Sequence, residues 1–298
     1  MKEKIRKLLK QRNAIMLAHN YQPPEIQDLA DLCGDSLELS IRASNTEADV
    51  ILFCGVHFMA ETASILCPNK RVLLPKKNAG CPMADMITAD ALKEKLQQLP
   101  AMPVVTYVNS PAAVKALSTI CCTSANAVQV VNSLESKDIL MAPDRNLAQY
   151  TAGKTDKNIH IWNGFCPIHD RLTPKDVIKA KSDHPDALFI AHPECRPDVL
   201  ALADEVLSTS GMIRLASASN HATFIIGTEV GLLYPLQKAN PGKVFLPASK
   251  AMLCEDMKKI TLEDVARSLE LMQGEVKVPK EVQKPALLAV ERMIALSK

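Results

Sequence analysis

Three sets of residues recur at matched intervals, and their types could do chemistry together. Cys81, Cys166 and Cys254 are separated by 85 and 88 residues. His19, Tyr107 and His192 are separated by 88 and 85, as are Ser36, Ser124 and Thr209. The motifs "HNY", "YVN" and "HPE" fall in register, which brings Tyr21, Asn109 and Glu194 into one set. Imidazole, phenol, amide and carboxylate suit general acid–base work and the orientation of a polar substrate. Hydroxyls at helix starts, beside free N–H groups, suit carboxylates or phosphate, although any one of them is also an ordinary N-cap.

The cysteines raise the question of a metal. Three thiolates leave a site incomplete: zinc with a water, or a 4Fe–4S cluster with one iron open, both satisfy the count. Ligands from three distant segments favour a central cluster over a local zinc knuckle. "GCP" and "FCP" suit tight loops that carry a thiolate inward. A lone cysteine is usually a small packed hydrophobe. Cys33, Cys54, Cys67, Cys121, Cys122 and Cys195 are read that way, because their positions do not repeat.

The elements that must position these groups repeat as well. "AIMLAHNY" (14–21), "VVTYVNS" (104–110) and "ALFIAHPE" (187–194) are apolar strands ending in polar residues. Each is followed by a helix start with a small hydroxyl residue, then by another apolar strand running into a cysteine loop. "ITADALKEKL", "LTPKDVIKAK" and "ITLEDVARSL" then start helices with a threonine cap and an acidic first turn. The pattern predicts an α/β fold of three similar, three-layer βαβαβ units. Their expected spans are 1–86, 87–171 and 172–260. Ligands of parallel α/β sheets bind beyond the carboxyl ends of the strands. Packed around a pseudo-threefold axis, the units bring all nine repeated groups to an active site at the centre. The N-terminal helix (3–12) takes the place that 88–98 and 173–182 hold in the other units. The tail, 261–298, is expected to pack back on the first unit.

Composition narrows the function classes. The chain has 298 residues, 47% hydrophobic and 23% charged, with a net charge of +2. This balance, with only 4% aromatic residues, does not point to nucleic acid. No apolar run approaches the roughly 18 residues of a membrane helix. The amphipathic N-terminus lacks the apolar core of a secretory signal. A cytoplasmic protein with reduced thiols is the expectation.

"HNYQPPEIQDLADLCGDSLELS", "FCGVHFMAETA", "VVTYVNS", "CTSANAV", "PDRNLAQY", "HPEC" and "STSGM" resemble quinolinate synthase, the iron–sulfur enzyme of de novo NAD synthesis. The resemblance covers about residues 14 to 260. It implies a transferase-type dehydrating condensation of iminosuccinate (iminoaspartate) with dihydroxyacetone phosphate. The products are quinolinate, phosphate and water. It also implies one 4Fe–4S cluster on Cys81, Cys166 and Cys254, with the open iron as Lewis acid. Catalytic positions carried over are His19, Tyr21, Tyr107, His192 and Glu194. Substrate contacts are His19, Ser36, Tyr107, Val108, Asn109, Ser124, His192, Pro193, Glu194 and Thr209. An L-aspartate-oxidising enzyme is the implied source of iminosuccinate. The chain departs from the family in "STSGM", where a second glycine is expected in place of Ser210. A cluster-containing reductase of hydroxymethylbutenyl diphosphate is a rival on a related plan, but "HNY…YVN…HPE" fits a dicarboxylate better than a diphosphate. A zinc-stabilised three-unit binding protein is the non-catalytic rival.

Overall fold

The computed structural model describes residues 1–297. Twelve strands form three four-stranded sheets, and every pairing within them is parallel. The first contains β1 (Ala14–His19), β2 (Leu32–Gly34), β3 (Val50–Cys54) and β4 (Arg71–Leu73). The second contains β5 (Val104–Tyr107), β6 (Ile120–Cys122), β7 (Asp138–Ala142) and β8 (Asn158–Ile161). The third contains β9 (Leu188–Ala191), β10 (Glu205–Val206), β11 (Thr223–Gly227) and β12 (Val244–Pro247). Their orders are β2-β1-β3-β4, β6-β5-β7-β8 and β10-β9-β11-β12, so one topology occurs three times.

Each unit has four strands, one more than the βαβαβ pattern read from the sequence. The extra strand is the short edge strand β2, β6 or β10, two or three residues long. So short a run carries no alternation to read. The central strands are covered on both faces, which explains continuous apolar runs such as "VILFC" in β3. The threonine caps form as expected. Thr88, Thr173 and Thr261 accept from the amides of Ala91, Asp176 and Asp264 at the starts of Ala89–Gln97, Pro174–Asp183 and Leu262–Leu271.

The tail is not confined to the first unit. Helix Leu262–Leu271 lies on the N-terminal helix Lys2–Gln11, where Arg12 Nε donates to Leu269 O at 3.2 Å. The chain then crosses the edge of β4. There Gly274 adopts φ +87°, and any Cβ would clash with Leu74 O. Helix Lys280–Leu296 packs between helix His57–Leu66 of the first unit and β6 of the second. Its buried face, Ala286, Ala289, Val290, Met293 and Ile294, has helical spacing. Gln283 bonds to Ser64 O at 2.9 Å on one side, and Arg292 to Thr119 O at 2.6 Å on the other. The largest apolar cluster accordingly runs through residues of all three units.

Candidate active site

β1 and β5 end on His19 and Tyr107, and His192 follows the last residue of β9. These ends border one cavity of about 570 Å³. His19, Tyr21 and Ser36 reach it from the first unit, and Tyr107, Asn109 and Ser124 from the second. His192, Glu194 and Thr209 reach it from the third, and Cys81, Cys166 and Cys254 lie on the same wall. Val108 and Pro193 are buried and do not line it. Asn109 Oδ1 is a buried acceptor with no partner in the protein.

The hydroxyls are not the helix caps that their positions suggested. Asp35 caps helix Ser36–Ser44 in a capping box with Glu38, and Ser208 caps Thr209–Ala218. Ser36 and Thr209 are the first helical residues instead. Both residues line the cavity, and Thr209 Oγ1 accepts from Asn20 Nδ2 of the first unit at 3.0 Å. Ser124 lies in the turn before helix Ala127–Asn132. Ser210, where the family resemblance implies glycine, bonds to the Glu38 carboxylate of the first unit.

Local bonds set the histidine tautomers. His19 Nδ1 accepts from Tyr21 N at 3.2 Å, and His192 Nδ1 accepts from Glu194 N at 3.3 Å. The proton of each neutral ring is therefore on Nε2. In His192 that atom lies 3.2 Å from Ser124 Oγ. Burial pushes both histidines down to about 3; Lys258 adds to this at His19, and Glu194 opposes it at both. Burial disfavours the charged form of Glu194, but His169, His192 and a bond from Tyr107 outweigh it and hold the carboxyl below the usual range. Burial first, and Glu194 second, keep Tyr21 and Tyr107 protonated well above the ordinary phenol range.

His169 is the main residue absent from the sequence-derived set. Its Nδ1 lies 2.7 Å from Glu194 Oε2 and 3.2 Å from Cys166 Sγ. Its Nε2 lies 2.8 Å from Thr228 Oγ1, which is 2.5 Å from Tyr21 OH. Tyr21, Thr228, His169 and Glu194 thus form one continuous chain. The signal for His169 was "CPIH", three residues on from Cys166 in the single turn Pro167–Asp170. Cys166, His169 and Glu194 also offer a possible metal-ligand set. However, 2.7 Å is a hydrogen-bond length, shorter than the about 3.3 Å between two ligands of a tetrahedral zinc.

Each of the three cysteines sits in the loop after the fourth strand of its sheet, and each precedes a single helical turn: Ala84–Met86, Pro167–Asp170 or Asp256–Lys258. Burial raises their thiols, Cys81 to about 12, and backbone amides of those turns oppose it. These amides come from Met83 and Ala84, from His169, and from Asp256 and Met257. Such donors favour thiolate over thiol. Three thiols from three sheets, each with amides turned to its sulfur, fit a group that takes three thiolates. Buried carboxylates brace two of the loops: Asp144 accepts Cys166 N at 3.0 Å, and Glu229 accepts Cys254 N at 3.1 Å. The other cysteines pack as expected. Cys67, for example, donates to Ala43 O at 3.1 Å, and Cys195 to Gly227 O at 3.4 Å.

The family model described as Quinolinate synthetase A protein matches residues 3–295. The chain belongs to the quinolinate synthase family. It is 56% identical over 296 residues to "Quinolinate synthase" of Geotalea uraniireducens (strain Rf4), covering 99% of this chain and 97% of that protein. It is 55% identical over 296 residues to "Quinolinate synthase" of Geobacter metallireducens, with the same coverage. "Quinolinate synthase 1" of Methanosarcina acetivorans is 53% identical over 294 residues, again covering 99% and 97%. Membership of the quinolinate synthase family therefore spans all three sheets and most of the tail. No helix among the described residues is long and apolar enough to cross a membrane.

Proposed function

We propose that the chain condenses iminosuccinate with dihydroxyacetone phosphate to quinolinate, releasing phosphate and two waters, with one 4Fe–4S cluster on Cys81, Cys166 and Cys254. The observation that carries this reading is the meeting of acid–base groups, hydroxyls and three thiols from three sheets at one cavity. The reaction is redox-neutral, so it needs proton movement and water loss rather than electrons. When bound, the cluster supplies Lewis acidity at the iron that no cysteine holds.

The protein groups do the rest. Glu194, ionised and accepting from Tyr107 and His169, is the base for carbon-bound protons. Tyr21 and Tyr107 are both held as phenols; the Tyr107 proton is given to Glu194, which leaves Tyr21 as the donor to a developing oxyanion. His19 and His192 present Nε2–H as neutral donors. Ser36, Ser124 and Thr209 bind carboxylates and, before its loss, the phosphate, with help from helix N-terminal amides. Asn109 Oδ1 accepts a substrate N–H or O–H. Walls from three units limit water around imine and enol intermediates. Iminosuccinate is a labile imine, which places an L-aspartate-oxidising enzyme upstream. A cytoplasmic setting keeps the thiols reduced for cluster assembly.

Anaerobic purification, iron and sulfide analysis and a quinolinate assay test the reading. The protein should carry iron–sulfur absorption and form quinolinate from the two substrates. Cys81→Ser, Cys166→Ser and Cys254→Ser should each lose most bound iron and activity, while Cys54→Ser retains both. A full cluster in Cys81→Ser, or stoichiometric zinc in place of iron, would sink the assignment.

A further inference from the structure

Lys115 is wholly buried behind the cavity wall and has no part in the chemistry above. It ends the short helix Ala112–Lys115, just after the turn that carries Tyr107 and Asn109. Its Nζ donates to Ser110 O at 2.5 Å and lies 5.7 Å from the centre of the Phe58 ring, which lines the cavity. Ser110 Oγ donates in turn to Tyr107 O at 2.9 Å. Burial pulls the lysine below its ordinary pKa, and Glu61 opposes that. Burying an ammonium is costly, so an apolar residue would serve better if packing were the only need.

The internal repeat shows what the position does. Gln27 lies 88 residues earlier and ends the matching helix Pro24–Gln27. Its Nε2 donates to Gln22 O at 2.8 Å and to Asn20 O at 3.0 Å. Gln22 is the counterpart of Ser110, again 88 residues earlier. The same tie is thus made by an amide in one unit and by an ammonium in the next. The third unit has Leu200 at this place, and there Asn146 Nδ2 donates to Glu194 O at 3.0 Å instead. Each turn that carries site residues has a carbonyl held by a buried polar donor.

We propose that Lys115 is a positioning residue that fixes the Tyr107–Ser110 turn, and with it the phenol of Tyr107 and the amide of Asn109, through its bond to Ser110 O. This rests on the proposed contact of Tyr107 and Asn109 with ligand. The donated bond carries the role, and the charge does not, since Gln27 makes the same tie without one.

Anaerobically purified wild type, Lys115→Met and Lys115→Gln would be compared by amide hydrogen exchange over 107–111 and by calorimetric titration with quinolinate. Losing a hydrogen bond from a charged group should speed exchange of the turn and weaken quinolinate by about tenfold or more in Lys115→Met. Lys115→Gln should stay within about threefold of wild type in both readouts. Unchanged exchange in Lys115→Met, or equal losses in the two variants, would overturn the proposal. If Lys115→Met does not fold, Lys115→Gln decides alone: near-normal exchange and binding support the tie, and a tenfold loss overturns it. Wild type that fails to bind quinolinate would remove the ligand assignment, and the exchange data would still decide the tie.

Discussion

At the scale of single residues, the site works by keeping proton carriers in unlike states close together. Glu194 is held ionised, while His19 and His192 are held neutral at about 3. Burial alone would have pushed the carboxylate the other way. Electrostatic attraction from His169 and His192, with hydrogen bonds from His169 and Tyr107, reverses the sign. The buried histidines have a consequence for stability. The unfolded chain takes up protons near the ordinary histidine value, 6.5, and the native chain does not until about 3. Their contribution is therefore full above about 6.5 and is lost as pH falls towards 3, by up to about 1.4 kcal/mol per pH unit for each ring. Urea unfolding from pH 7 to 4 should show this slope, and His19→Asn should reduce it. An unchanged slope would mean that His19 titrates alike in both states.

At the scale of elements, two helix starts from different units are joined through their caps. Asp35 accepts from Leu37 N and Glu38 N, each at 3.0 Å, and from Ser208 Oγ of the third unit at 3.2 Å. Ser208 itself caps the helix that begins with Thr209. Loss of the cap in Asp35→Ala should cost about 1–2 kcal/mol, and quinolinate affinity should fall with it, because Ser36 and Thr209 shift. Thr173→Ala removes a cap that does not line the cavity and should cost about 1 kcal/mol with affinity intact. Denaturant melts paired with ligand titrations check both. Equal affinity in the two variants would contradict the coupling. Ser210 belongs to the same junction, where its hydroxyl adds a bond to Glu38.

At the scale of the whole molecule, the C-terminal helix acts as a strut. Helix Lys280–Leu296 buries Met293 completely between the first and second units. Met293→Ala should cost about 2–5 kcal/mol, as large-to-small changes in cores do. Because the main apolar cluster crosses unit boundaries, unfolding should remain a single transition. Fluorescence and circular dichroism melts that separate in wild type would show the sheets unfolding independently.

Much of this architecture is legible along the chain because it is local and periodic. The phase of His19, Tyr107 and His192, of the hydroxyls and of the three cysteines follows from a unit repeated with little change in length. Apolar runs and threonine caps mark strands and helices for the same reason. What stayed hidden depends on partners distant in sequence. β2, β6 and β10 are too short to carry a pattern, and they form because a neighbouring strand offers free backbone groups. Whether Ser36 or Asp35 caps its helix depends on where the chain leaves the strand, since both residue types can cap. His169 meets Glu194 and Thr228 only after two units pack. The sequence by itself determined which groups the chain owns and the interval at which they recur. The tertiary structure decided which proton each group holds, since protonation follows from burial and from neighbours that only packing supplies.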